Sequence, residues 1–257
     1  MQRLKLTISY VGTRFYGWQR QSLRRNGVPV TELRTVQNEL ETLASRIAGQ
    51  KVNIHASGRT DTGVHAEAQV AHMDIPKSKL GVNWIRAFNT QLPDDVAVSA
   101  VEPVDRDFHA QYGARSKLYA YNLWLSYDYT PPRLRPFVWP CGPLRLEPMQ
   151  EAARYLLGRH DFASFRNSGV DYDSTVRTLT RLELAPSDNT RPLLATWYFE
   201  ADGFLKQMVR NLMGLLVDVG KGKLAPEAAA AILAAKDRTR SSATAPASGL
   251  TLMRVDY

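Results

Sequence analysis

The sequence predicts an α+β protein made of two ferredoxin-like halves, each ordered β-α-β-β-α-β and joined into a mainly antiparallel sheet. Three observations lead there. Apolar residues alternate with polar ones in short runs, as at Leu4, Leu6, Ile8 and Tyr10, the period of half-buried strands. Helical stripes with their own start and stop residues fall between those runs. The order of elements then recurs once along the 257 residues, although no repeat is visible in the letters themselves.

In the first half, Leu4–Tyr10 is the opening strand. Gly12 and Thr13 turn the chain into Phe15, Tyr16, Gly17 and Trp18, interleaved with Arg14, Arg20, Arg24 and Arg25. Aromatic faces beside guanidinium groups suit stacking on bases and pairing with phosphates, which makes these four arginines candidate RNA-binding residues. Phe15 and Trp18 also suit a core, and at least one of them is expected there. Residues 22–34 read as a basic, irregular excursion. Thr35 is placed to N-cap a helix whose apolar positions are Val36, Leu40, Leu43, Ala44 and Ile47, with Gly49 as its stop. Alternation at residues 51–55 and 66–70 gives two strands. A short helix is expected over Asn83–Gln91, then a strand at Val96, Val98 and Ala100 that Pro103 closes.

Asp105–Arg115 reads as a linker, and the domains are drawn as 1–107 and 108–257. The second half opens with a strand at Lys117–Leu125, then a helix at Pro148–Leu157 with proline in the first turn. Strands Val176–Leu184 and Leu193–Glu200 follow. A helix from Phe204 carries the stripe Leu205, Met208, Val209, Leu212, Leu216 and Val219, with Gly220 at its stop and Arg210 and Asn211 off the stripe. On spacing alone Arg210 is a solvated helix-face residue. An extra helix at Pro226–Ala235 precedes the terminal strand, Leu250–Tyr257.

Between residues 56 and 66 lies Ala-Ser-Gly-Arg-Thr-Asp-Thr-Gly-Val-His-Ala, a loop between two strands. Gly58 and Gly63 both suit positive φ, so the backbone can bend on either side of Asp61. A carboxylate so held is aimed, and Arg59 can keep it ionised. The commonest use of such an aspartate is an Asx-turn. Two other chemistries are weak here. Asp61-Thr62-Gly63 has the letters of an aspartic protease, but no second copy supplies the paired carboxylate, so no protein substrate is expected. His65-Ala66-Glu67 fits part of a zinc deaminase, but Pro140-Cys141 has no second cysteine after it. The five histidines show no metal-ligand spacing, and Gly220-Lys221-Gly222 is not a phosphate loop.

Lys and Arg number 33 against 25 Asp and Glu, a formal charge of +8, with 44% hydrophobic residues. The charge is spread along the chain, a field suited to a polyanion. One cysteine, Cys141, excludes an internal disulfide and suits a reducing compartment. No signal peptide and no membrane-spanning apolar run is read, so a cytoplasmic location without membrane contact is expected.

Together these segments resemble the tRNA pseudouridine synthase A family, nearly end to end. Tyr10-x-Gly12-Thr13-x-Phe15-x-Gly17-Trp18-Gln19 is similar to its opening motif, Thr35-Val36-Gln37 to the start of its first helix, and Gly58–Ala66 to its catalytic segment. Phe108-His109-Ala110, Tyr119-x-Tyr121, Gly158-x-His160-Asp161-Phe162, Met208-Val209-Arg210 and Thr244-Ala245-Pro246 follow in the family's order. The resemblance implies conversion of uridine to pseudouridine in the tRNA anticodon stem-loop, at tRNA positions 38 to 40, in a central RNA-binding cleft. It implies Asp61 as nucleophile, Tyr119 as the ring stacked on the target base, Arg59 as an aid to base extrusion and Arg210 as the partner of the aspartate. It also implies a homodimer that binds tRNA and uses no metal or organic cofactor. Val11, Ser57 and Gln111 depart from the family's usual Asp, Ala and Arg, and residues 22–34 exceed the usual connection. The reading from another class is an RNA-binding module without activity.

Overall fold

The computed structural model describes Met1–Tyr257 apart from Asn26, Gly27, Ser168, Val170 and Asp171, and apart from the side chains of residues 23–30. It is a mixed α+β structure whose strands pair mostly antiparallel. The chain divides into two compact units, Met1–Ala114 with Leu252–Tyr257, and Arg115–Thr251.

The first unit opens with β1 (Gln2–Tyr10), in which Leu4, Leu6, Ile8 and Tyr10 are buried. Where the sequence suggests an irregular excursion, β2 (Ser22–Arg25) and β3 (Val28–Glu32) pair as a separate two-stranded hairpin. Helix α1 (Val36–Ala48) begins at Thr35, whose hydroxyl accepts from Asn38 N, and ends at Gly49 in the left-handed region, φ 72°. The stripe residues Val36, Leu40, Leu43 and Ala44 are buried, and so are two polar ones, Gln37 and Glu41.

Strand β4 (Ile54–Ala56) is shorter than the alternation suggests, whereas β5 (His65–Ile75) is longer. Helix α2 (Trp84–Asn89) is capped by the Asn83 side chain and precedes β6 (Val96–Val104). β5 pairs with β1 through Leu6 opposite Ala71, and β1 pairs with β6 through Leu6 opposite Val101. β4 and the last strand of the chain, Leu250–Asp256, lie along the other edge of β5. Pro103 does not end β6 as expected but sits opposite Leu4. β6 is an edge strand, where a residue without N–H is tolerated.

The sequence sets a boundary at 107/108, whereas the first unit continues through Phe108-His109-Ala110 to Ala114. Hydrogen bonds tie that segment down. Arg3 Nη1 donates to the carbonyls of Arg106 (2.7 Å) and Phe108 (2.9 Å), Ala110 N donates to His72 Nδ1 (3.1 Å), and Tyr257 OH donates to Ala110 O (2.7 Å).

The second unit begins with β7 (Ser116–Trp124), to which a short parallel strand β8 (Trp139–Pro140) is added. Helix α3 (Leu146–Arg154) follows, then β9 (Gly158–Asp161), β10 (Val176–Leu184) and β11 (Leu194–Ala201), with order β7-β11-β10-β9. The helix expected from Phe204 starts only at Met208: α4 runs Met208–Gly220 because Gln207, φ 60°, interrupts the chain in the left-handed region. It is buried on nearly every side, including Asn211, so it is a core helix rather than an amphipathic one. Gly220 serves packing rather than a left-handed stop. A Cβ there would lie 2.6 Å from Met149 Sδ. Helix α5 (Ala228–Ala235) precedes β12, the Leu250–Asp256 strand. No helix among the described residues is long and apolar enough to cross a membrane.

Candidate active site

The loop between β4 and β5 is held from both ends. Ser57 N donates to Val70 O at 2.7 Å, carrying the strand ladder one residue past β4. Val64 N donates to Asp61 O at 3.1 Å, closing a turn in which Gly63 has φ 82°, the place in a β-turn that favours glycine. Gly58 stays outside the positive-φ region, contrary to expectation. The second left-handed glycine is Gly17, φ 84°, which packs against the loop: a Cβ there would stand 2.6 Å from Thr60 O.

The segment after β1 braces the same loop. Trp18 N donates to Thr60 O (3.1 Å), Gly63 N donates to Phe15 O (3.3 Å), and Gly12 N donates to His65 Nδ1 (3.0 Å). Phe15 and Trp18 are both core residues, 1% and 2% exposed. This segment in turn docks on the start of α1, where Val36 N donates to Gly17 O and Gln37 N to Trp18 O. Two motifs far apart in sequence therefore form one rigid piece. Ser57 and Thr60 are buried within it, Arg59 is exposed, and Asp61 is half-buried.

The arginines of this region meet carboxylates that the sequence reading overlooked. Asp95, buried, receives Arg34 through both oxygens (2.7 and 2.8 Å) and Arg14 Nε at 3.0 Å. The Arg34 guanidinium beside it holds its carboxyl below the usual carboxylate range. Arg34 also lies 4.2 Å over the Phe15 ring. Arg20 Nη1 pairs with buried Glu41 at 3.0 Å. The side chains of Arg24 and Arg25 lie outside the described residues.

Tyr119 and Arg210 belong to the second unit. The Tyr119 ring meets Phe204 edge-on at 5.2 Å. Tyr121, two residues on, is fully buried and donates to Pro246 O at 2.6 Å. Arg210 is not a plain helix-face residue: its Nε donates to Ala245 O (2.8 Å), and Ala245 N donates back to Arg210 O (3.1 Å). Asn211 Oδ1 accepts from Arg238 and from Thr244. Arg238, unremarkable in the sequence, also donates to the carbonyls of Ser241 and Ser242, so it shapes the 241–244 turn beside Ala245.

His55, His72 and His109 cluster in the first unit, with centroids 4.7 to 6.4 Å apart. Burial, with Arg3 nearby, pushes the His72 imidazole down to about 4. His109 Nδ1 accepts from Gln111 N and Tyr112 N, a backbone-bonding role. Among the described residues no group of three His, Cys, Asp or Glu side chains is arranged to hold a metal ion.

A family model described as tRNA pseudouridine synthase matches residues 6–113 and 152–257. The chain belongs to this family. The tRNA pseudouridine synthase A of Nitratidesulfovibrio vulgaris (strain DSM 19637 / Miyazaki F) is 53% identical over 281 residues, spanning all of both chains. That of Lawsonia intracellularis is 52% identical over 260 residues, again spanning all of both. That of Geobacillus kaustophilus is 41% identical and covers 100% of this chain and 95% of its own. Among solved structures, a Cbf5-Nop10-Gar1 complex aligns with 85% of this chain and 44% of that chain, at 14% identity and TM-score 0.35, too slight a likeness to bear on the fold.

Of the residues singled out from the tRNA pseudouridine synthase motifs, the structure puts Arg59 and Asp61 on one braced loop. It also joins Arg210 to the Thr244-Ala245-Pro246 segment within the second unit. Gln69, Asp95, Glu41 and Arg238 were missed. Each is a polar residue whose partner is distant in sequence, and no local pattern marks it.

Proposed function

We propose that this protein converts uridine to pseudouridine in the anticodon stem-loop of tRNA, at positions 38 to 40, with Asp61 as the attacking carboxylate. The observation that carries the reading is the braced loop. Its backbone is fixed at Ser57, Thr60, Gly63 and Val64, and it presents Asp61 and exposed Arg59 in a chain of this family. A side chain on so rigid a support meets the positional demand of catalysis.

The reaction breaks the N1–C1′ bond, turns the uracil and forms a C5–C1′ bond. The C5 proton leaves to water and N1 gains one, so no electrons or groups enter from outside. Three routes are open to the carboxylate: attack at C1′, addition at C6, or proton removal at C2′. Extruding the target base costs a few kcal/mol. Stacking on Tyr119 returns about 1–3 kcal/mol. Arg59 aids extrusion, and Arg210 keeps the carboxylate anionic, which desolvation alone would oppose. Arg14, Arg20, Arg24 and Arg25 contact phosphates in this reading. We also read each unit as a ferredoxin-like half, the first of them bearing the loop. The working form is a cytoplasmic homodimer that needs no cofactor.

Tritium release from tRNA labelled at uridine C5 tests this. Wild type releases label to water and Asp61→Asn releases none, while both bind tRNA. Binding without release by wild type identifies an RNA-binding module instead, and light scattering at about the mass of one chain removes the homodimer.

A further inference from the structure

The loop that bears Arg59 and Asp61 is gripped by a set of buried side chains. Ser57 Oγ donates to Gln69 Oε1 at 2.7 Å, and Gln69 Nε2 donates to Gly58 O at 2.9 Å. On the other side of Arg59, the phenol oxygen of Tyr10 lies 2.8 Å from Thr60 Oγ1, within hydrogen-bond distance. Ser57 and Gln69 are fully buried, Tyr10 and Thr60 nearly so. Burial pushes the phenol up to about 12, so Tyr10 keeps its proton at neutral pH. Gln69 therefore bridges Ser57 and Gly58, while Tyr10 reaches Thr60.

The grip falls on Ser57, Gly58 and Thr60, on either side of Arg59 and just ahead of Asp61. Beyond Asp61, the bonds Val64 N to Asp61 O and Gly63 N to Phe15 O fix the other side. We infer that Tyr10 and Gln69 are positioning residues for Asp61, holding the loop through Thr60 and Gly58 without touching the reacting atoms. The hydroxyl that this chain carries at Ser57 completes the set by satisfying Gln69 Oε1. The inference builds on Asp61 as the reacting carboxylate, proposed above.

The test compares wild type, Tyr10→Phe, Gln69→Met, Ser57→Ala and the pair Thr60→Val and Thr60→Ser, by amide hydrogen exchange across residues 57–64 and by kcat and KM for tritium release from tRNA. Loss of one buried hydrogen bond corresponds to about tenfold, and a loosened carboxylate costs up to about a hundredfold in rate. Tyr10→Phe and Gln69→Met should each speed exchange about tenfold and lower kcat by about ten- to a hundredfold, with KM within about twofold. Ser57→Ala should show the smallest effect, and Thr60→Ser should restore what Thr60→Val loses. Unchanged exchange in both Tyr10→Phe and Gln69→Met overturns the inference, as does a rise in KM at constant kcat. If wild type shows no turnover, the function proposed above fails, and the exchange rates still decide whether the grip exists.

Discussion

Gly12 lies against Val64 so closely that a Cβ added to Gly12 would stand 2.0 Å from the Val64 carbonyl oxygen. Val64 is the residue whose N–H closes the turn at Asp61. Gly12→Ala should therefore push the turn away, costing about 1–3 kcal/mol in denaturant unfolding and most of the turnover. Gly49→Ala is the control. Its site is left-handed, φ 72°, with nothing within 4 Å, so it should cost about 1–2 kcal/mol and leave kcat alone. Equal kcat losses in the two variants would count against a special Gly12–Val64 contact.

Tyr119→Ala should cripple turnover while tRNA affinity stays nearly intact, because phosphate contacts supply most of the binding. The lost stacking is worth about 1–3 kcal/mol. Tyr119→Phe should keep most of the rate. A full rate in the alanine variant would remove this ring from the reaction.

Stability should decline with acid in two separate windows. The unfolded chain protonates His72 near 6.5, the folded chain only near 4. The unfolded state thus holds the extra proton between those values, and stability falls as pH drops through them. Asp95 acts lower. Its folded value lies below the ordinary 3.8 because Arg34 bonds it, so its contribution is complete above 3.8 and is lost as pH falls further. Urea midpoints from pH 7 to 3 should show both declines. His72→Asn should flatten the upper one and Asp95→Asn the lower one. A midpoint constant from pH 6.5 to 4 in wild type would refute the His72 assignment.

Affinity for tRNA should fall steeply and linearly on a log–log salt plot, since the chain carries +8 and polyanion binding releases counterions. Arg14 bonds Asp95 yet keeps 69% of its side chain exposed. Arg14→Ala should make the slope shallower by about 1. An unchanged slope would leave Arg14 with Asp95 alone.

The elements legible in the sequence are those whose local signals agree. α1 shows its cap, stripe and stop in its own letters, and Thr35, Leu40 and Gly49 behave accordingly. β9 was illegible because Gly158–Asp161 is short and half exposed, with no alternation to read. The start of α4 was misread because Leu205 fits the stripe, while Gln207 turns left-handed for reasons its neighbours do not announce. In the site, the glycines and Asp61 could be picked out as a loop. The grip by Gln69 and the pairing of Arg20 with Glu41 could not, because both join residues that only folding brings together. Tyr119 and Arg210 were singled out through the family resemblance, not through their spacing, which favoured plainer roles.

The β2–β3 hairpin meets the rest of its unit at a stitched base. Tyr16 N bonds Arg34 O, Leu33 N bonds Gln21 O, and Arg20 N bonds Gln37 Oε1. With the two stems already fastened side by side, the span between them is free to vary in length at little thermodynamic penalty. Evolution can lengthen or trim this arm, and an engineer can graft a tag or a fluorophore onto it, while the Asp61 turn stays as it is.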